Sequence, residues 1–194
     1  MTLTQRKAGA DLPAIREAFR AIIPAIGDNP LREGLEGTPE RVAELYAELF
    51  EGIWQDPLAE LEGGFDEGHQ EMVLLRDIPF YSMCEHHFLP FFGVVHLGYI
   101  PKGRIVGIGK LSRVVEILSR RPQIQERLTS QIADTLDQGL NPLGAGVVIQ
   151  AEHLCMKMRE GRTAGSHVVT SANRGAFRKN AKTRAEFLAF VEGK

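Results

Sequence analysis

The chain has 194 residues, 43% hydrophobic and 25% charged, with a formal net charge of −2. That length suits one domain of ordinary size with room for a helical appendage, and the balance excludes a disordered chain. The small net charge supplies no global basic field for nucleic acid or an anionic membrane.

The opening stretch MTLTQRKAGADLP lacks the apolar segment of a signal peptide. No apolar run reaches the roughly 18 residues of a membrane span, so the expected compartment is the cytoplasm. Asp11 is placed to cap a first helix whose stripe is Ile15, Phe19, Ile22 and Ile26. A loop over Gly27–Gly37 follows. TPERVAELYAELF then starts a second helix, with Thr38 as N-cap, Pro39 in the first turn, and Val42, Leu45, Tyr46 and Phe50 or Leu49 on its apolar face. EGGFDEGHQ reads as a mobile connection.

From Glu71 the character changes. EMVLLRDIPFYSM, FFGVVHLGYIP and GRIVGIG are β-rich and punctuated by Gly and Pro. Helical spacing returns in KLSRVVEILSRRPQIQERLTSQIADTLDQGL, where Ile124, Leu128, Ile132 and Leu136 recur every four residues and Pro122 breaks the helix. GAGVVIQAEHLCMKM reads as one long strand and SHVVTSANRGAF as another. TRAEFLAFV closes the chain as a helix with Thr183 and Glu186 spaced as a capping box. Helices first and then a strand-rich part predict an α+β fold with an antiparallel sheet. Residues 1–70 are expected to form an N-terminal helical region and residues 71–194 the sheet-bearing domain.

Two stretches carry chemistry. SMCEHHFLPFFG sets a cysteine, a carboxylate and two histidines beside an aromatic cluster. Cys84 and His87 are three apart, a spacing at which a turn aims both at one ion. In AEHLCMKMRE, strand alternation points His153 and Cys155 to the same side. Cys84, His87 and Cys155 thus make three ligands with a fourth position for water, the pattern of a catalytic zinc site. Zinc there lowers the pKa of water, and His86 and His153 remain as acid–base groups near neutral pH. The alternatives are two inert buried thiols or a closed structural site completed by Glu85 or His153. FLPFFG reads better as plain core than as a wall behind the metal. A zinc deaminase of the H-x-E and P-C-x-x-C type does not fit, because the chain has no C-x-x-C.

Lys110 and Arg113 follow the glycines of GIGKLSR at a helix start, and Arg159 lies four residues beyond Cys155. Helix starts favour anions, so a phosphate-bearing substrate is inferred. Taken singly, each of the three is better read as a solvated charge.

At SMCEHHFLPFFG, YIPKGRIVGIGKLSRVVE, RRPQIQERLTSQI and AEHLCMKMR, four blocks in order, the chain resembles GTP cyclohydrolase I. The resemblance runs from about GTPERVAELY to TRAEFLAF. It implies zinc on Cys84, His87 and Cys155, acid–base roles for His86 and His153, and guanine recognition by Glu126 with Gln125 beside it. It implies a triphosphate held by Lys110, Arg113 and Arg159, with Arg41 reaching a neighbouring subunit's site. It further implies hydrolysis of GTP to 7,8-dihydroneopterin triphosphate and formate, the first step of pterin and tetrahydrofolate synthesis. The implied fold is the tunnelling fold, an antiparallel sheet with helices on one face. The implied assembly is a homodecamer with sites at subunit interfaces, and feedback regulation is compatible with it. Two positions depart from many relatives. Gly109 stands where serine is common, which removes a hydroxyl. Glu160 stands where glycine is common, beside Arg159.

Overall fold

A computed structural model describes residues 9–158 and 165–193. Seven α-helices and seven strands are present among the described residues. The two N-terminal helices come first, α1 (Leu12–Ala25) and α2 (Thr38–Leu49). The Asp11 carboxylate accepts from Ala14 N at 3.0 Å, the expected cap of α1. The buried stripe of α1 is shifted from the expected one. Ile23 is buried, whereas Ile22 and Ile26 are exposed. In α2 the cap position falls to Gly37, and Thr38 is the first helical residue with no side-chain cap bond. Leu45 is exposed, while Ala43 and Pro39 take the buried side. An edge-to-face contact of Phe19 with Tyr46, ring centroids 5.3 Å apart, joins the pair.

Next come β1 (Phe65–His69), β2 (Val73–Cys84), β3 (Pro90–Ile100) and β4 (Gly103–Ile105). The segment expected to be a mobile connection is therefore largely a strand. β1 pairs antiparallel with β4 in a two-stranded ribbon. Each strand satisfies the other's backbone groups, and this outweighs the Gly- and acid-rich composition. The remaining elements are α3 (Ile108–Ser119), β5 (Pro122–Gln123), α4 (Gln125–Leu140), β6 (Gly144–His153), α5 (Leu154–Lys157), β7 (Val168–Arg174), α6 (Gly175–Lys179) and α7 (Ala181–Glu192). Pro122 separates α3 from α4 as its missing N–H dictates. The cap of α7 is Asn180, whose side chain accepts from Lys182 N and Thr183 N. Thr183 thus lies inside the helix rather than at its start.

The main sheet has the order β5-β2-β3-β6-β7. All its pairings are antiparallel except the short parallel one of β5 with β2. Strand alternation sorts the side chains onto two faces. Phe91, Val95, Leu97 and Tyr99 of β3, with Ala145, Val147, Ile149 and Ala151 of β6, pack against Leu111, Val114, Val115, Leu118, Leu128, Ile132 and Leu136 of α3 and α4. Burying each large apolar side chain contributes about 1.5–3 kcal/mol. The opposite face is also partly covered, contrary to the one-sided expectation. Phe177 and Phe187 of α6 and α7 pack with Val148, Leu74 and Ile100. They fit because a Cβ on Gly146 would come within 2.6 Å of the Phe177 ring.

Residues between α2 and the sheet dock on the same core. Leu61 is buried within it. A Cβ on Gly52 would lie 2.0 Å from Ile117 O, so only glycine allows this approach. Arg121 clasps the segment, donating to Gly52 O and Gln55 O at 2.8 Å each.

Candidate active site

β2 ends at Cys84, and a tight turn follows. Cys84 N donates to Leu89 O at 2.9 Å, Phe88 N donates to Cys84 O at 2.8 Å, and Phe88 adopts φ of 52°. The turn is tied to β5 by Glu85 N donating to Gln123 O at 3.0 Å. Cys84 is buried at the sheet end, and His86 and His87 lie on the exposed side of the turn. His86 Nδ1 is 3.8 Å from Cys84 Sγ.

The expected long strand through Cys155 stops early. β6 pairs with β3 as far as His153 opposite Phe91, and beyond that no neighbouring strand continues. β3 begins at Pro90, which has no N–H to offer, and β7 reaches only Ala151. The chain turns instead into α5, with Met158 N donating to Leu154 O at 2.9 Å. Cys155 therefore sits on a helical turn, and alternation along a strand does not set its direction relative to His153. It still lies close enough to Cys84 for each thiol to feel the other, and it packs against the core cluster that contains Cys84. Burial pushes the Cys155 thiol above its ordinary pKa, and the neighbouring Cys84 thiol adds to the rise.

His153 stacks on Phe91, ring centroids 4.7 Å apart and planes within 6°. One phenylalanine of FLPFFG is thus a wall behind a site histidine, while Phe92 stacks on Tyr81 and Phe88 meets Phe50. His153 Nε2 is 2.8 Å from Gln125 Oε1. Burial lowers the His153 pKa, and Glu126 acts in the opposite sense, so that carboxylate lies within electrostatic reach of the ring. Glu126 is exposed at the start of α4. Gln125, expected beside the substrate, is buried to 2% exposure, and its amide is committed to protein partners.

Two residues not singled out from sequence support the site. Arg127 grips Glu85 through two bonds, at 2.5 and 2.9 Å, and lowers the pKa of Glu85. Phe91 supplies the ring stack. The only sequence signal for the Arg127 pair was opposite charge in two separate motif blocks.

The cations gather elsewhere. Lys110 lies in the first turn of α3 and donates to Glu62 O. Arg113 donates to Glu116 at 2.7 Å and to Gln55 at 3.1 Å, with Glu60 at 3.9 Å. At 1.5 Å rise per residue, about 14 Å of helix separates Lys110 from Ser119, and the cysteines lie beyond that end. Arg41 donates to Thr38 Oγ1 at 2.8 Å and Gly34 O at 3.3 Å. Gly109 is open on its Cβ side, with nothing within 4 Å. Arg159 and Glu160 lie outside the described residues.

Among the described residues no group of three or more His, Cys, Asp or Glu converges as a metal cage. The structure sets Cys84 beside His86 and near Cys155, and separately brings His153 to Gln125 with Glu126 in electrostatic reach. Thiols and imidazoles are the donor types that zinc takes, so the residue types fit that ion.

The sequence profile of GTP cyclohydrolase I matches residues 15–192. The chain belongs to the GTP cyclohydrolase I family. A GTP cyclohydrolase 1 from Dehalococcoides mccartyi is 57% identical over 186 residues, covering 95% of this chain and 98% of the relative. Those of Pelotomaculum thermopropionicum and Halalkalibacterium halodurans are 56% and 52% identical, each covering 94% of this chain and 98% of the relative. The crystal structure of an archaeosine synthase QueF-like protein in the apo form overlaps 54% of this chain and 93% of its own, at 21% identity and a TM-score of 0.44. Among the described residues, no helix is long and apolar enough to cross a membrane.

Proposed function

We propose that this enzyme hydrolyses GTP to 7,8-dihydroneopterin triphosphate and formate, using zinc held by Cys84, His87 and Cys155. The observation that carries the reading is the nearness of the Cys84 and Cys155 thiols, with His86 beside Cys84, within a chain of this family. Zinc bound there supplies Lewis acidity for hydrating the guanine imidazole ring at C8.

The chain's own residues do the rest. Glu126 suits guanine because two carboxylate oxygens can accept from N1–H and the exocyclic amine. His86 and His153 move protons as the ring opens, C8 leaves as formate, and the opened ribose rearranges and recloses. The Phe91 ring keeps water from one face of His153. Lys110, Arg113, Arg159 and Arg41 hold the triphosphate as charge-assisted donors.

Lys110 and Arg113 stand at the far end of α3 from the cysteines. That separation supports a site shared between copies of the chain, in which one copy's cations meet another's cysteines. A homodecamer of tunnelling-fold subunits would supply it, with residues 71–194 as the catalytic part and residues 1–70 as a helical extension. The proposed compartment is the cytoplasm.

The test is incubation of purified protein with GTP, following formate and the growth of pterin absorbance with and without a zinc chelator. Chelator-sensitive production of both is expected. Formate without pterin would mean a hydrolase unable to complete the rearrangement. No product from zinc-loaded protein would overturn the reading in favour of a closed structural zinc site.

A further inference from the structure

Five hydrogen bonds around Gln125 have only one consistent set of directions. Thr129 Oγ1 lies 2.7 Å from Gln125 O, a carbonyl that can only accept, so the Thr129 hydroxyl proton is used there. Thr129 Oγ1 and Thr170 Oγ1 are 2.6 Å apart, so Thr170 must be the donor of that pair. Thr170 then has only lone pairs left for Gln125 Nε2, 3.1 Å away. Val168 O at 2.9 Å and Ile149 O at 3.1 Å also face Nε2 and also only accept. Turning the amide over would set Oε1 against three acceptors. The NH2 end is therefore fixed toward β6 and β7, and Oε1 faces His153.

We infer that Gln125 is a positioning residue that holds His153 as its Nε2–H tautomer and leaves the lone pair on Nδ1 for proton transfer. This rests on the acid–base role proposed for His153. Gln125 Oε1, 2.8 Å from Nε2, can only accept, so Nε2 carries the hydrogen. Phe91, stacked flat on the imidazole, fixes the plane of the ring without competing for either nitrogen. The bond survives the reaction, because neutral and protonated imidazole both keep Nε2–H. The directed chain from the Gln125 carbonyl through Thr129, Thr170 and the amide thus ends by choosing which nitrogen of His153 works. A substrate contact by Gln125 is not needed, and its amide has no unengaged arm.

The test uses zinc-loaded protein with 15N-labelled histidine, observed by NMR above neutral pH. The wild-type His153 signal is expected to show the hydrogen on Nε2, and a predominant Nδ1–H form would overturn the inference without any variant. Gln125→Met should lose the preference and lower kcat about 10²-fold, the low end of an acid–base contribution, with the KM for GTP nearly unchanged. Gln125→Glu keeps an acceptor toward Nε2 when its other carboxyl oxygen carries the proton that Ile149 O and Val168 O demand, and in that neutral form it should restore the Nε2–H form with part of the turnover. A raised KM with unchanged kcat in Gln125→Met would make Gln125 a substrate contact and overturn the inference. Failure of the wild-type protein to turn over GTP would overturn the functional reading instead, while the NMR result still decides the tautomer.

Discussion

The two ends of α3 are built on different plans. At its C-terminal end lie β5, the Cys84 turn and Cys155, with His153 held between a phenylalanine ring and a buried amide. Those groups are held in place before any substrate arrives. At its N-terminal end, Lys110 and Arg113 are bonded to Glu62 O, Glu116 and Gln55, all near solvent. The first end has its geometry fixed by the core. In the proposed function the second exchanges protein partners for phosphate oxygens. Bond-making is thus assigned in that proposal to the rigid end and charge capture to the adaptable one, where the half-exposed Arg113–Glu116 pair can part at little cost because solvent-screened ion pairs are weak.

The contrast is broken most severely at the cysteines. Cys84→Ala and Cys155→Ala should each abolish bound zinc, read by metal analysis of the purified protein, and bring turnover below detection. Retained zinc in the Cys155 variant would remove that residue from the site. His86→Ala and His153→Ala should keep zinc and lower kcat by about 10²–10⁴-fold, the range of a proton-transfer group. Glu126→Ala, at an exposed position, should cost about 10²-fold in kcat/KM for GTP while the thermal midpoint stays put. At the other end, Arg113→Ala should raise KM about tenfold with kcat nearly unchanged. The wild-type KM should itself climb with added salt, as screening weakens exposed charges.

The smallest effect lies away from both ends, at His96. This residue is buried on β3, and its Nδ1 accepts from Asp77 N at 3.3 Å, which requires a neutral ring. Burial lowers its pKa from about 6.5, with Asp77 opposing the shift and Arg76 adding to it. The unfolded chain therefore binds the proton more readily than the folded one. The contribution of neutral His96 is complete above about pH 6.5 and is lost as pH falls from there toward the folded value. His96→Gln should flatten that part of the stability–pH curve, read by denaturant unfolding at several pH values.

Much of this was legible from local signals. The Leu128, Ile132 and Leu136 stripe is fully buried as its spacing demands. Pro122 divides the helices, and Asp11 caps the first. The misses share one cause, which is that neighbours in space overrule neighbours in sequence. Residues Phe65–His69 look like a linker until β4 pairs with them. Cys155 looks like part of a strand until the strands flanking β6 run out. The Gln125 amide likewise takes its partners from Ile149, Val168 and Thr170, all remote in sequence. Of the candidate site, the sequence offered candidate residues through motif spacing, whereas the hydrogen-bond directions around them appear only in the fold.

The pairing of Phe91 with His153 has a consequence for how the molecule comes into being. β3 and β6 are neighbours in the sheet but are divided in the chain by β4, α3, β5 and α4. Closing such a distant pair is costly in chain entropy, so it belongs to the late stages of folding. On the ribosome, Cys84 emerges well before the segment bearing His153 and Cys155. A chain released too early would hold one thiol and two histidines with nothing to complete them. Acquisition of the metal should then coincide with the docking of β6 rather than precede it.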